Sequence, residues 1–351
     1  MMRRLIACLA LAAVPAVAVA APTDAQLAGQ HIGWPVDGTT VSASMRAAIQ
    51  RGEVGAVILF SRNTASPAAL ARLTASLQAI PRPAAVDAPI LVMTDQEGGL
   101  VKRVASVPPR ASAARMGATM TPTQIRAQGT ATARGLTALG INADLAPVCD
   151  IAVKGRDIAR DQRSFGATAA TAGADCTAVA QGLAAGGAAA AAKHFPGFGL
   201  ARVNTDNAPV RITAPRAQLM AQLAPFRQAI GAGVPMVLVS SAIYPALAPQ
   251  PALLSKAVAA TLLRGTLGFR GVTVSDAIDA AALRPWGGTR GAAGRAAAAG
   301  MDLVLVSGTE ASARQAQAGV AAAIAAGALS RSDAQTSLNR VLALRRHPAT
   351  G

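Results

Sequence analysis

Short apolar runs alternate with longer amphipathic stretches along most of the chain. Runs of this length with little internal polarity are typical of strands that are buried on both faces of a parallel sheet. The pattern predicts eight strands, at residues 31–34, 54–60, 90–94, 142–146, 188–193, 236–240, 272–275 and 303–306.

The stretches between these runs have the composition and spacing of helices. The final stretch has a packing face of Leu338, Val341, Leu342 and Leu344, and we interpret it as a closing or capping helix. The predicted helices are at residues 66–77, 122–139, 168–185, 215–230, 255–267, 291–299 and 330–346.

Eight strand–helix repeats favour an α/β fold of one kind, the single-domain (β/α)8 TIM-type barrel. Right-handed crossovers around a parallel sheet can close the sheet at this number of strands. A doubly wound open sheet is the alternative, but the glycine-rich nucleotide-binding turn expected after an early strand does not follow residues 31–34. We therefore expect one domain over residues 21–351.

The first twenty residues resemble a signal peptide. Arg3 and Arg4 precede an apolar run, and Ala18 and Ala20 are small residues at the two positions that a signal peptidase reads. The run is too short for a retained membrane span. A lipoprotein box ending at Cys8 is the alternative, but no apolar stretch precedes it. We expect cleavage before Ala21 and a periplasmic or secreted protein without an integral membrane span.

The chain is basic, and its basic residues are scattered. The formal charge of +16 becomes +14 when Arg3 and Arg4 are removed. Nucleic-acid binding would require a basic stripe with stacking aromatic residues, and aromatic residues make up only 3% of the chain. We therefore expect no nucleic-acid partner; a basic surface could instead favour approach to an anionic cell envelope.

Cysteine and histidine are too few to indicate a metal site. Cys149 and Cys176 remain after processing, and an oxidising compartment would permit them to pair, although two buried thiols fit the sequence equally well. His31, His194 and His347 are the only histidines, and none has metal-ligand spacing. We expect no metal and no cofactor.

Polar side chains gather where predicted strands end. Barrels of this type carry their functional groups at the carboxyl ends of the strands, where the loops converge. This placement predicts a polar-substrate site built from the residues that follow the third, fourth, fifth and seventh strands, namely Asp95, Glu97, Asp150, Lys193, His194 and Asp276.

Four motifs in this order resemble glycoside hydrolase family 3, in its short single-domain β-N-acetylglucosaminidase branch. They are Asp-Gln-Glu-Gly-Gly at 95–99, Arg-Ser-Phe-Gly at 163–166, Lys-His-Phe-Pro-Gly at 193–197 and Ser-Asp at 275–276. The similarity extends from about residue 55 to residue 305. Four motifs in one order are far more specific than any one of them.

The resemblance implies a glycosidase that cleaves terminal β-linked N-acetylglucosamine, or a related β-glycoside, with retention of configuration. Asp276 matches the family's nucleophile. Asp95, Arg163, Lys193 and His194 match residues that bind the sugar. The implied partner is a carbohydrate, with a peptidoglycan fragment as one candidate, and we expect a monomer.

Structural explanations for these residues remain open at this point. Asp276 could be the N-cap of the following helix. Arg163 and Lys193 could form salt bridges with Asp150 or Asp161.

The loop after the third predicted strand departs from the family at one position. Glu97 and the two glycines that follow it are expected to shape this loop. Leu100 replaces the usual arginine, so we expect one contact or loop anchor to be missing.

A second departure affects the general acid. The family branch carries a histidine soon after Lys-His-Phe-Pro-Gly and then Asp-Ser-His, whereas this chain has Phe198 and then Asn204, Thr205 and Asp206. Asp206 could be the acid, hydrolysis could be confined to good leaving groups, or the barrel could bind sugar without cleaving it. We favour Asp206 as the acid.

Overall fold

Eight parallel strands form a closed barrel in the computed structural model, which describes residues 20–349. Most of the expected signal peptide, with Cys8, lies outside the described residues. The strands are β1 Ile32–Pro35, β2 Ala56–Leu59, β3 Leu91–Thr94, β4 Ala143–Asp144, β5 Ala189–Phe195, β6 Met236–Val239, β7 Val272–Ser275 and β8 Val304–Leu305. Their order in the sheet is β8-β1-β2-β3-β4-β5-β6-β7, and a parallel bridge between Val274 and Leu303 closes the ring.

The eight predicted strands and the barrel are confirmed. The strand ends differ from the predicted ends by a few residues, and β5 continues to Phe195. A short antiparallel hairpin, Gln96–Gly98 with Val101–Lys102, follows β3 and was not predicted.

Helices surround the barrel, and several of the longer ones begin at a serine or threonine N-cap whose hydroxyl accepts a backbone N–H. The α-helices are α1 Asp24–Gln30, α2 Ala43–Gln50, α3 Pro67–Gln78, α4 Ala113–Thr119, α5 Pro122–Thr137, α6 Asp157–Arg160, α7 Ala169–Ala185, α8 Arg216–Ala221, α9 Ala224–Gly231, α10 Gly288–Ala299, α11 Glu310–Ala325 and α12 Arg331–Arg346. No helix within residues 20–349 is long and apolar enough to cross a bilayer.

Two predicted helices differ from the structure. The stretch 215–230 is two helices, α8 and α9, because Pro225 has no N–H to donate to the carbonyl four residues earlier. The stretch 255–267 contains a π-helix, Ala257–Thr266. An apolar pattern over ten residues does not distinguish the π-helical period from the α-helical one.

Alternate residues of seven of the eight strands, β2 to β8, point inward and fill the barrel, as the two-residue side-chain period of a strand requires. Val341 and Leu344 of α12 pack against this cluster, which confirms the capping role of the last helix. The inward-facing residues are Ala56, Ile58, Leu91, Met93, Ala143, Leu145, Ala189, Ala191, Met236, Leu238, Val272, Val274, Leu303 and Leu305.

Arg345 fastens α12 to the amino-terminal end of the barrel. Its side chain is buried and donates to the carbonyl oxygens of Pro89 at 2.8 Å and Ala88 at 2.5 Å, and to Gln30 Oε1 at 2.7 Å. These acceptors precede β3 and β1. The closed end of the barrel is therefore stabilised by a buried guanidinium that binds carbonyl groups.

Replacing Arg345 with methionine tests this arrangement. We expect Arg345→Met to lower the free energy of unfolding by about 3 kcal/mol or more, because several buried acceptors lose their donor. Arg346→Met is the matched control, since Arg346 is exposed and donates to one carbonyl, that of Asp87; it should cost about 0.5 kcal/mol or less. Urea unfolding measures both, and equal costs would contradict the assignment.

Candidate active site

A cavity of about 200 Å³ opens at the carboxyl ends of the strands. It lies at the end of the barrel opposite α12, among loops that follow β2, β3, β4, β5, β7 and β8. The six residues given catalytic or sugar-binding roles from the sequence all line this one cavity, namely Asp95, Arg163, Lys193, His194, Asp206 and Asp276.

A buried ion network forms the floor of the cavity. Lys193 Nζ lies 2.7 Å from Asp95 Oδ1 and 2.7 Å from Glu97 Oε1. Arg163 donates twice to Glu97, from Nε at 2.9 Å and from Nη2 at 2.8 Å. Two cations thus neutralise two carboxylates, and the paired geometry holds the side chains in fixed orientations.

Electrostatics keep the network ionised. Burial opposes the charge on Glu97, but Arg163 and Lys193 outweigh burial and hold the pKa of Glu97 well below its ordinary value. Burial also opposes the charge on Lys193, and Asp95 and Glu97 outweigh it, so the pKa of Lys193 is raised.

The salt bridges considered from the sequence exist with different partners. Arg163 and Lys193 pair with Glu97 and Asp95, and not with Asp150 or Asp161. Glu97 was expected to shape the loop; it also binds both cations, which the sequence could not show because Arg163 lies 66 residues away along the chain.

His194 is oriented by Asp150. Its Nδ1 lies 2.7 Å from Asp150 Oδ2, so Nδ1 carries the proton and Nε2 can accept from Arg163 Nη2 at 3.3 Å. The backbone N–H of Phe198 donates to the other oxygen of Asp150 at 2.6 Å. The buried carboxylate of Asp150 therefore fixes both the imidazole of His194 and the turn after β5.

A disulfide anchors the segment that carries Asp150. Cys149 and Cys176 are bonded, with their Cα atoms 5.3 Å apart, so the pairing that the sequence left open is present. The bond joins the residue before Asp150 to α7, and the Cys149 N–H donates to the Lys193 carbonyl at 2.7 Å. Asp150 is therefore tied both to a helix and to β5.

Asp276 follows β7 directly and borders the cavity. Its Oδ1 accepts from the Ala277 N–H at 2.9 Å and its Oδ2 from Thr205 Oγ1 at 3.4 Å. The N-cap alternative is wrong, because the next helical turn, Ala281–Trp286, begins five residues later. Among residues 20–349, no ion pair engages Asp276, so its carboxylate is held without a neutralising cation.

Asp206 lies on the loop between β5 and α8 and lines the same cavity. The residue is exposed at the rim, but its carboxyl group is partly withdrawn from water. This desolvation, followed by the negative charge of Asp276, raises the pKa of Asp206 to about 6. Asp206 and Asp276 therefore share one cavity, and the pKa of Asp206 is raised there.

Arg103 also lines the cavity, and sequence reasoning missed it. In the hairpin after β3, Gln96 pairs with Lys102, a register that continues towards Asp95 and Arg103. Gly98 and Gly99 have φ values of 93° and 58° and form the turn. The two glycines are the sequence feature that could have indicated Arg103, because a tight turn at this point brings the chain back to the cavity.

Leu100, which replaces the family's usual arginine, lies at the hairpin tip with its side chain 76% exposed. It is not among the residues that line the cavity.

A closed eight-stranded barrel with a polar cavity at the carboxyl ends of its strands defines a barrel enzyme. Residues 20–344 match the glycosyl hydrolase family 3 N terminal domain. The chain belongs to glycosyl hydrolase family 3 and is a glycosidase, so the resemblance inferred from the four motifs is confirmed.

Relatives in two organisms are similar over most of the chain. An uncharacterized secreted glycosyl hydrolase of Arthroderma benhamiae is 38% identical over 345 residues, which cover 95% of this chain and 96% of the relative. A beta-hexosaminidase of Xanthomonas campestris pv. campestris is 36% identical over 279 residues, which cover 77% of this chain and 82% of the relative.

Two solved structures share the fold. The family 3 beta-N-acetylglucosaminidase of Paenibacillus sp. has a TM-score of 0.87 and 35% identity; the match covers 94% of this chain and 64% of that one. The beta-N-acetylhexosaminidase of Beutenbergia cavernae has a TM-score of 0.83 and 33% identity, with coverage of 92% and 98%.

Acid titration tests the floor of the cavity. A carboxyl group whose pKa in the folded state lies below its unfolded value of about 4.3 stabilises the fold above that pH and loses the contribution as the pH falls. We expect Glu97→Gln to cost about 3 kcal/mol or more at pH 7, because it leaves two buried cations undercompensated, and the difference from wild type should shrink below about pH 4.

The matched control for Glu97 is Glu53→Gln. Glu53 pairs with Arg51, whose side chain is 51% exposed, so this variant should cost about 1 kcal/mol or less. Urea unfolding at a series of pH values measures both variants. A Glu97→Gln cost as small as that of the control would contradict the network.

Proposed function

We propose that the protein is an exported β-N-acetylhexosaminidase that cleaves terminal β-linked N-acetylglucosamine, or a related β-glycoside, with retention of configuration. Asp276 is the nucleophile and Asp206 is the general acid. The observation that carries the proposal is the presence of both carboxyl groups in one cavity, with the pKa of Asp206 raised to about 6. Relatives named as hexosaminidases support the choice of sugar.

In this proposal Asp276 and Asp206 have the two carboxyl roles of a retaining glycosidase, nucleophile and general acid/base. In the first step an oxygen of Asp276 bonds to the anomeric carbon while the glycosidic bond breaks, and Asp206 gives its proton to the leaving oxygen. In the second step Asp206 takes a proton from water, whose oxygen displaces Asp276 from the anomeric carbon. The proton returns to Asp206, so the cycle is balanced.

The buried network supplies the sugar contacts in this proposal. Lys193 fixes Asp95, whose carboxylate can accept hydrogen bonds from sugar hydroxyls. Arg163, Arg103 and His194 line the same wall and offer groups that suit hydroxyl and amide oxygens. Because the floor is already ionised and paired, these groups need little reorganisation when a sugar binds.

Export agrees with the disulfide and with the secreted relative. A Cys149–Cys176 bond persists in an oxidising compartment, and the Arthroderma benhamiae relative is described as secreted. The amino-terminal segment has the pattern of a signal peptide. An exported, basic glycosidase could act on an anionic wall polymer, so a peptidoglycan fragment is a candidate natural substrate.

Loss of Asp276 tests the nucleophile. We expect Asp276→Ala to reduce turnover of an aryl β-N-acetylglucosaminide by at least about a thousandfold, because no carboxylate remains to bond to the anomeric carbon. Asp87→Ala is the control, since Asp87 is 64% exposed at the closed end of the barrel, and it should retain full activity. Full activity in Asp276→Ala would exclude this mechanism.

Loss of Asp206 tests the acid. As a general acid, Asp206 must be protonated, so kcat/KM should fall as the pH rises through about 6. We expect Asp206→Asn to abolish this fall and to lower the rate on poor leaving groups by about a hundredfold to ten-thousandfold, with a much smaller loss on a dinitrophenyl glycoside. An unchanged rate on both substrates would remove Asp206 from the mechanism.

A further inference from the structure

Thr205 joins the two carboxyl groups of the cavity. It precedes Asp206 in the chain, it is buried with 3% of its surface exposed, and its Oγ1 lies 3.4 Å from Asp276 Oδ2. The other oxygen of Asp276 accepts from the Ala277 N–H, at 2.9 Å. In the described part of the chain, the Thr205 hydroxyl is therefore the side-chain donor to this carboxylate.

The main chain holds Thr205 in place. The Ala282 N–H donates to the Thr205 carbonyl at 3.2 Å, and the Ala281 N–H donates to the Asp206 carbonyl at 3.3 Å. Both donors lie at the start of the helical turn that follows β7. The loop with Thr205 and Asp206 is thus bonded to the segment just beyond Asp276.

We propose that Thr205 is a positioning residue for the nucleophile, and that it couples the orientation of Asp276 to docking of the loop that carries Asp206. This proposal rests on the proposed function. Because Thr205 and Asp206 share one loop, Asp276 receives the hydroxyl bond only while Asp206 is also beside the cavity. Docking of the loop therefore orients the nucleophile and brings the acid to the cavity at the same time.

The hydroxyl has a defined physical effect. With Oδ1 held by a backbone N–H and Oδ2 by Thr205, the carboxylate cannot rotate freely, so one lone pair keeps its direction towards the cavity. A hydrogen bond to an ionised group is stronger than a neutral one. The 3.4 Å separation is long for a hydroxyl donor, and catalytic bonds of this kind tighten when substrate binds.

Two variants distinguish the effect of the Thr205 hydroxyl from the effect of the side-chain shape. Thr205→Val keeps the branched shape and removes the donor, whereas Thr205→Ser keeps the donor and removes a methyl group. We expect Thr205→Val to lower kcat/KM by roughly 10- to 100-fold, the scale of a lost bond to a charged group, and Thr205→Ser to remain within about threefold of wild type. A purely packing role predicts the opposite order.

Substrates with different leaving groups distinguish the role of Thr205 from that of Asp206. A residue that acts on the nucleophile should matter for a dinitrophenyl and a poor leaving group alike, whereas loss of acid assistance matters chiefly for the poor one. We therefore expect the Thr205→Val loss to be similar on both β-N-acetylglucosaminides. It should also persist on the dinitrophenyl glycoside in the Asp206→Asn background.

Failure of the positioning role of Thr205 can be distinguished from failure of the proposed function. If wild type does not hydrolyse these glycosides, the proposed function fails. If wild type is active and Thr205→Val is equally active, or loses activity only on the poor leaving group, the positioning role is overturned. Thermal unfolding of each variant shows whether the fold is intact, and Thr205→Ser keeps the test decisive if the valine variant is unstable.

Discussion

The cavity depends on one buried ammonium group. Lys193, at the end of β5, lies between Asp95 and Glu97, and Glu97 in turn holds Arg163. Each of these charges would be costly to bury alone, and together they are neutral. The network therefore fixes the ends of β3 and β5 and the loop after β4 relative to each other, and the sugar-facing wall follows from that constraint.

The two ends of the barrel differ in structure, since one is packed and closed and the other carries the polar cavity. At the amino-terminal end, α12 inserts Val341 and Leu344 against the barrel interior, and Arg345 binds carbonyl groups, so that end is packed and closed. At the other end, polar side chains line an open cavity, and the disulfide beside Asp150 ties the segment that carries this residue to α7. A rigid barrel thus presents loops whose polar groups are held for chemistry.

The sequence predicts what depends on local pattern and misses what depends on distant neighbours. Eight apolar runs predict the barrel, and polar residues at strand ends predict Asp95, Lys193 and Asp276 at one mouth. The ion pair of Glu97 with Arg163 and the contact between Thr205 and Asp276 join residues 66 and 71 positions apart, so no local pattern reveals them. Pro225 did carry a local signal for the break between α8 and α9, because a proline interrupts helical hydrogen bonding.

The most direct test of the account is covalent trapping of the glycosyl-enzyme. A 5-fluoro N-acetylglucosaminyl fluoride should form an intermediate that hydrolyses slowly, and proteolysis with mass spectrometry should locate the sugar on the peptide that contains Asp276. A sugar bound to a different residue, or turnover of the reagent with no covalent adduct at any time, would contradict a retaining mechanism centred on the carboxylate at the end of β7.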